Sequence, residues 1–271
     1  MSAEPILTDE DRRIWDMWQR TARAHATTNA YRKRVDSSLG LLEKSLAEVP
    51  NAVIAWSGGK DSTVMTHLVC VRFGAKLPVF SEKDDMDYPG EEAYVRALGA
   101  AWGLDLSIVY PDISPWQWLE SHREQLRPGG DLHSRSAGLS KACFYPVVEA
   151  CNNGFDVVML GLRAAESNIR RHLRHSRGRF YELASGKHRL LPIADWTGLD
   201  VLAYAAAHDI ELLPVYRCVA LLHADEPWRI RKSWWLPGTG YAGGQISWLR
   251  RYYPSLYAQM CEWMPRARMF A

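Results

Sequence analysis

Apolar residues recur at helical spacing along the first fifty positions of the chain. The pattern predicts a helix over residues 9–28, and Thr8 with Asp11 forms a capping pair at its start. A second helical pattern follows and ends before Pro50. We therefore expect a helical N-terminal extension over residues 1–48.

Short apolar runs replace the helical pattern after residue 50 and predict buried strands. The runs are Ala52–Trp56, Leu77–Phe80, Leu104–Tyr110 and Phe155–Leu160. Helical patterns separate them, and strands that alternate with helices are typical of βαβ units around a parallel sheet. We predict an α/β fold with a doubly wound, five-stranded parallel sheet. A later helix is predicted to begin at Thr197, which forms a capping pair with Asp200.

The pattern becomes irregular after about residue 217. Five tryptophans lie in this part of the chain: Trp228, Trp234, Trp235, Trp248 and Trp263. A glycine- and proline-rich stretch, LPGTGYAGG, lies among them. We therefore predict one central domain over residues 49–217, followed by a C-terminal extension or lid over residues 218–271.

Composition excludes several classes of function. The chain has 33 Lys and Arg against 31 Asp and Glu, a net charge of +2, which by itself indicates no nucleic-acid partner. No apolar run approaches the roughly 18 residues of a membrane span, so no membrane partner is expected. Five dispersed cysteines without a Cys-x-x-Cys pair favour reduced thiols and a cytoplasmic location. They are Cys70, Cys143, Cys151, Cys218 and Cys261.

The run SGGKDS, residues 57–62, lies at the exit of the first predicted strand. Glycines let a backbone approach an anion closely, and the following helix would direct bare N–H groups and its positive dipole end to the same point. Lys60 adds a positive charge, whereas Asp61 suits a site in which Mg²⁺ accompanies phosphates. The alternative is a simple turn in which Asp61 or Ser62 caps the helix and no ligand binds.

This run is not a P-loop, because the G-x-x-x-x-G-K-[ST] spacing is missing. It resembles the SGGxDS loop of the adenine-nucleotide α-hydrolase-like superfamily, the PP-loop or N-type ATP pyrophosphatases. In that superfamily the loop holds the β- and γ-phosphates while the α-phosphorus reacts. The resemblance implies a Rossmann-like fold and a phosphate-binding role for Ser57, Gly58, Gly59, Lys60, Asp61 and Ser62.

A second informative run, GLRAAESNIRR, begins at Gly161 after the fourth predicted strand. The carboxyl ends of parallel strands face one crevice, so this run is expected to face the same cleft as residues 57–62. The guanidinium fork of arginine suits phosphate or sulfate oxygens. The alternative is a solvated basic helix face, one that touches nucleic acid through Arg170–Arg179.

Together these runs resemble the phosphoadenosine phosphosulfate (PAPS) reductase family, whose signature is G-x-R-x-x-E-S…R. Two further family blocks are matched in the same order. They are the acidic block at residues 85–89 and the run LLPIADWTGLDV, residues 190–201. The resemblance covers residues 50–217. It implies a nucleotide-binding domain with catalytic or phosphate-binding roles for Lys60, Lys141, Gly161, Arg163, Glu166, Arg170 and Arg171. It leaves Asp61, Asp85 and Asp87 as candidate Mg²⁺ ligands.

The chain departs from the family where reductases carry their reactive cysteines. It has neither a C-terminal Glu-Cys-Gly segment nor the paired cysteines of an iron–sulfur cluster, so no such cluster is expected. The leading hypothesis is an ATP pyrophosphatase or adenylyltransferase of sulfur metabolism that activates an oxyanion acceptor with ATP and Mg²⁺. The alternatives are thiol-dependent reduction of PAPS and a nucleic-acid-associated protein. A protein partner or a homodimer is also considered.

Overall fold

The computed structural model of the chain describes residues 4–122, 138–232, 244–263 and 268–269. Trp234, Trp235 and most of the glycine-rich stretch after them lie outside the described residues, as does the side chain of Trp263.

A six-stranded sheet forms the centre of the molecule, in the order β3-β2-β1-β4-β6-β5. Its strands are β1 Ala52–Ala55, β2 Pro78–Glu82, β3 Asp105–Val109, β4 Val157–Leu160, β5 Phe180–Glu182 and β6 His188–Leu190. Five strands pair in parallel, and β5 joins the edge antiparallel to β6. The predicted α/β fold and five parallel strands are confirmed, and an antiparallel sixth strand is added.

Helices surround the sheet and extend from it at both ends of the chain. They are α1 Asp9–Ala26, α2 Asn29–Glu48, α3 Lys60–His67, α4 Glu91–Ala101, α5 Pro115–Ser121, α6 Tyr145–Asn152, α7 Asn168–Arg177, α8 Gly198–Ala207, α9 Gln245–Tyr252 and α10 Pro254–Trp263. Both predicted N-terminal helices and both predicted capping pairs are confirmed. Among the described residues, no helix combines the length and the apolar character needed to cross a bilayer.

The two faces of the sheet are covered to different depths. Successive side chains of a strand point to opposite faces, so Val53 and Ile54 enter different cores. Ile54 lies in a large core that also receives side chains from the N-terminal and C-terminal helices. Val53 lies in a small core that α6 covers with Val148 and Cys151. The thinly covered face leaves room beside the strand ends.

Asp11 joins the first helix to the C-terminal part of the chain. Its buried carboxylate accepts hydrogen bonds from the Thr8 hydroxyl at 2.6 Å, the Ala220 N–H at 2.8 Å and the Tyr252 hydroxyl at 2.7 Å. Burial alone would raise the pKa of Asp11, but these hydrogen bonds outweigh it and lower the pKa. A capping residue therefore also stabilises long-range packing.

Asp200 has a similar double role at the start of α8. Its carboxylate closes the capping box with Thr197 and also accepts from Arg34 Nη1 at 2.9 Å. His25 Nε2 lies 2.8 Å from the same oxygen. The side chain is fully buried, and the Thr197 and His25 hydrogen bonds with the Arg34 charge outweigh burial and lower its pKa. Asp200 thus connects α1, α2 and α8.

We predict that Asp200→Asn lowers the free energy of unfolding by about 2–4 kcal/mol at pH 7, because an amide directs a donor at groups that already donate. Urea unfolding measures the change. Because the folded pKa lies below the unfolded value of about 3.9, the carboxylate's contribution is present above that pH and is lost as the pH falls. The difference between the variant and the wild type should therefore shrink toward pH 3.

The matched control is Asp209→Asn. Asp209 pairs with Arg23 at 3.0 Å, but its side chain is 81% exposed, and asparagine tolerates its φ of 49°. We expect a loss below about 1 kcal/mol. Equal losses in the two variants would contradict the role assigned to Asp200.

Candidate active site

The turn between β1 and α3 has a backbone that only glycine tolerates at one position. Gly58 has a φ of +78°, and a Cβ there would lie 3.0 Å from Val95 Cγ2. Gly59 is the N-cap of α3 and provides no side-chain cap. The alternative in which Asp61 or Ser62 caps this helix is therefore wrong. The first N–H groups of α3 are left to other partners.

The two glycine-containing runs meet at the carboxyl edge of the sheet. Residues Ala55 and Leu160 pair in register, so β1 and β4 end at the same level. A Cβ at Gly161 would lie 2.6 Å from Ser62 Cα, which shows how closely the two turns approach. Arg163 Nε donates to Asp61 Oδ1 at 2.5 Å and locks the turns together. The expectation that both runs face one cleft is met by this geometry.

Asp61 lies between two cations. Lys60 Nζ is 2.9 Å from its second oxygen, and Arg163, only 3% exposed, holds the first. Burial alone would raise the pKa of Asp61, but the Lys60 and Arg163 charges outweigh it and lower the pKa. Lys60 Nζ also donates to the Ile230 carbonyl at 3.1 Å. Asp61 is therefore a structural counter-ion for the turn.

A cavity of about 540 Å³ opens beside these turns. Its polar lining includes the β1 turn and Arg170, which also forms an ion pair with Glu166. Its apolar lining includes Leu162 together with Phe80 and Val148, which share the small core. A ligand with a charged tail and a flat apolar head fits this mixed lining.

Most of the predicted site residues lie at this cavity. Its described lining includes Ser57, Gly59, Lys60, Asp61, Ser62, Gly161, Glu166 and Arg170. Gly58 and Arg163 are next to these residues but do not belong to the described lining. Arg171 and Lys141 are exposed and also lie outside it. The structure thus brings the two runs together without Lys141.

The three candidate Mg²⁺ ligands do not come together. Asp61 is paired as above, whereas Asp85 accepts from the Ser114 hydroxyl on the surface. Asp87 lies 2.8 Å from Lys232 Nζ. The described residues contain no group of three His, Cys, Asp or Glu side chains able to hold a metal. The protein ligands present among the described residues do not fit a resident magnesium ion.

Several cavity residues escaped the sequence analysis. The Tyr216 hydroxyl accepts from the Lys60 backbone N–H at 2.9 Å and so satisfies one of the free donors of α3. Glu82, Arg231 and Lys232 also line the cavity. No local sequence signal places Tyr216, Arg231 or Lys232 here, because each reaches the cavity over a long sequence separation.

Glu82 is a carboxyl group with a buried, unpartnered oxygen. In the described part of the structure, its Oε1 has no hydrogen-bond partner. Burial first, and then the nearby Asp84 and Asp87 charges, raise its pKa to about 8, although Lys232 and Lys83 lower it. At neutral pH this wall of the cavity therefore carries a largely neutral acid.

Four of the five cysteines lie in environments that disfavour the thiolate form. Cys70, Cys143, Cys218 and Cys261 are buried, and Cys151 is half-buried. Burial raises the pKa of Cys70 and of Cys143 to about 11, and it also raises those of Cys151 and Cys218. No cysteine belongs to the described cavity lining. The thiolate is the nucleophilic form, so this setting does not favour thiol chemistry.

Several arginines of the basic segment around α7 form ion pairs within the protein. Arg174 forms a two-pronged pair with Asp195, and Arg179 Nε lies 3.5 Å from the same carboxylate. Trp248 is buried and donates to the Cys218 carbonyl, and Trp228 packs edge-on against Trp18. These contacts occupy two arginines and two tryptophans of the basic and stacking surface that a nucleic-acid partner would need, whereas Arg171 and Arg177 of α7 are exposed.

Comparison with known proteins identifies the family of the chain. The family model of the phosphoadenosine phosphosulfate reductase domain matches residues 51–219. Sulfate adenylyltransferase subunit 2 of Streptomyces lavendulae is 28% identical over 225 residues, which cover 74% of this chain and 66% of that protein. The chain thus spans just under two thirds of this relative. Phosphoadenosine 5'-phosphosulfate reductase of Alkalilimnicola ehrlichii is 28% identical over 174 residues, 63% of this chain and 67% of the relative.

Solved structures share the fold at low sequence identity. The phosphate complex of PAPS reductase from Candida auris has a TM-score of 0.51 at 16% identity and covers 65% of this chain and 82% of that one. FMN adenylyltransferase of Candida glabrata also has a TM-score of 0.51, at 12% identity, over 79% of this chain and 70% of that one. With its matched residues forming more than half of the sequence, the chain belongs to the phosphoadenosine phosphosulfate reductase domain family.

Proposed function

We propose that the protein binds ATP in the cavity and transfers its adenylyl group to an oxyanion acceptor, with release of pyrophosphate. The observation that carries the proposal is the convergence of the residue 57–62 turn, Lys60 and Arg170 on one cavity that apolar side chains also line. Relatives from Streptomyces lavendulae and Burkholderia lata bear the name sulfate adenylyltransferase subunit 2, which supports this reaction. Candida glabrata FMN adenylyltransferase, of similar fold at a TM-score of 0.50, was solved with an ATP analogue.

The polar and apolar residues of the lining suggest how the nucleotide would lie. The adenine ring would pack against the apolar side chains, and the β- and γ-phosphates would meet the free N–H groups of the turn and the helix dipole. Lys60 and Arg170 would exchange part of their bonding from Asp61 and Glu166 to phosphate oxygens. Magnesium, if present, would arrive with the nucleotide's own phosphates.

The chemistry then requires mainly positioning and charge stabilisation. An acceptor oxyanion already carries its nucleophilic electron pair, so no general base is needed. A new O–P bond forms at the α-phosphorus, the bond to the bridging oxygen breaks, and pyrophosphate leaves with that electron pair. The site residues would stabilise the charge that develops on the leaving group.

A thiol-dependent reductase is the second candidate, because relatives bearing that name also match the chain. The burial of the cysteines weighs against it. The free cysteines fit the predicted cytoplasmic location, which stays a prediction. The name "subunit 2" of the adenylyltransferase relatives supports a protein partner.

The decisive experiment supplies the two substrates separately. We expect pyrophosphate release from ATP in the presence of sulfate or a related oxyanion, and no sulfite release from PAPS with dithiothreitol or thioredoxin. Sulfite release without pyrophosphate release would establish the reductase instead. No release in either assay, together with no heat of ATP binding by calorimetry, would contradict both candidates.

Arg170 provides a test of the phosphate end. We expect Arg170→Gln to weaken ATP binding about tenfold, because a charge-assisted hydrogen bond contributes roughly 1.5–3 kcal/mol and this side chain is partly exposed. Arg171 follows it on α7 but lies outside the described lining, so Arg171→Gln should change affinity less than twofold. Calorimetric titration compares the two, and equal effects would argue against this placement of the phosphates.

The pKa of Glu82 predicts a pH dependence of nucleotide binding. As the pH rises from 7 to 9 through the Glu82 pKa of about 8, the cavity gains a negative charge that repels the phosphates. We expect ATP affinity to fall roughly five- to tenfold, as an effective dielectric constant near 20 suggests. Glu82→Gln should keep affinity nearly constant over this range.

The control for this pH profile is Glu92→Gln. Glu92 lies on α4, pairs with Arg96 at 2.8 Å and is not part of the described cavity lining. Its variant should reproduce the wild-type profile. A profile that Glu82→Gln leaves unchanged would show that another group titrates.

A further inference from the structure

The segment from Ile230 to Lys232 lies directly against the β1 turn. Lys60 Nζ donates to the Ile230 carbonyl at 3.1 Å. A Cβ placed on Gly59 would lie 3.5 Å from the Lys232 Cβ, so this segment packs over the glycine that caps α3. The segment therefore lies beside the β1 turn, where the proposed phosphates would bind.

Lys232 fixes the other end of the segment. Its Nζ is 2.8 Å from Asp87 Oδ1 and 2.8 Å from Glu91 Oε1. Burial alone would lower the pKa of Lys232, but the Glu91 and Asp87 charges outweigh it and raise the pKa, so the ion pairs persist at neutral pH. The backbone of residue 231 is thus held between two anchored neighbours.

Arg231 differs from the other cations around the cavity. Lys60, Arg170 and Lys232 each form an ion pair with a carboxylate. Arg231 lines the cavity and is exposed, and among the described residues no carboxylate pairs with it. Its charge is therefore not offset locally, and its planar fork matches phosphate oxygens.

We propose that Arg231 binds the β- and γ-phosphates of the nucleotide and stabilises the pyrophosphate that leaves. This inference rests on the proposed adenylyl transfer. When the bond between the α-phosphorus and the bridging oxygen breaks, the electron pair stays on that oxygen, and the Arg231 guanidinium donates to the resulting pyrophosphate. Arg231 lies beyond residues 51–219, so a residue outside the family match completes the phosphate end.

The anchored neighbours explain why a single exposed arginine can act there. An isolated exposed side chain loses much rotamer entropy when it binds, whereas a fixed backbone limits the conformations that must be searched. One anchor, the Ile230 carbonyl, accepts from Lys60 of the same turn that would hold the phosphates, and the other joins Lys232 to Asp87 and Glu91. The position of Arg231 is therefore coupled to the integrity of the turn.

The test compares Arg231→Gln with Arg229→Gln. Arg229 lies two positions before Arg231. Its side chain is 67% exposed, pairs with Glu226 at 2.7 Å and is not part of the described lining. For Arg231→Gln we expect at least tenfold weaker binding of both ATP and pyrophosphate by calorimetry, with AMP affinity within twofold of wild type. Arg229→Gln should leave all three within twofold. Arg231→Lys should recover part of the loss.

The remaining outcomes separate this inference from the proposed function. Wild-type protein that binds no ATP overturns the function, whereas ATP binding that Arg231→Gln leaves unchanged overturns only the role of Arg231. An equal loss of AMP and ATP affinity would indicate a general disturbance and would also overturn it. A rise confined to the acceptor's KM would assign Arg231 to the acceptor instead. The urea midpoint of each variant should match wild type, because both side chains are exposed.

Discussion

The ion pair between Arg163 and Asp61 is the contact on which the candidate site depends. It joins the turn after β1 to the turn after β4, two segments about a hundred residues apart in sequence. Gly161 permits the approach because any side chain there would collide with the Ser62 backbone. Lys60 supplies the second cation that offsets the cost of burying the Asp61 carboxylate. Without these three features the N–H groups of α3 would not face the cavity.

A consequence of this arrangement is that most charges of the site are paired before any ligand binds. The pairs Lys60–Asp61, Arg170–Glu166 and Lys232–Asp87 hold the walls of the cavity in position. Such preorganisation limits the rearrangement that binding requires, because a phosphate replaces one oxygen partner by another. The net attraction for an anion then depends on the few groups whose charge is not offset.

Local sequence signals predicted the parts of the fold that short-range chemistry decides. The capping pairs at Thr8 and Thr197 were predictable, because each hydrogen bond spans three residues. The parallel strands β1 to β4 were predictable from apolar runs of sufficient length. Strands β5 and β6 have only three residues each, too few for a periodic pattern, and β5 lies at the edge of the sheet.

The site could be predicted only as far as its residues lie within contiguous runs. The SGGKDS run and the segment after Gly161 were found because each follows a strand. The fate of Asp61 could not be read locally, because its partner Arg163 is 102 positions away. The same holds for Lys232 and Tyr216, which reach the turn from sequence separations above 140 residues. Asp85 and Asp87 share a block but face different surroundings.

Asp11 sets a condition on how this chain can fold during synthesis. Its partners Ala220 and Tyr252 are separated from it by 209 and 241 residues. The N-terminal helix therefore leaves the ribosome long before the groups that satisfy its buried carboxylate have been made. Until then, Asp11 must stay hydrated, and α1 cannot dock in its final position. Docking of α1 is consequently a late step that joins it to α9, as expected of contacts with such large sequence separation.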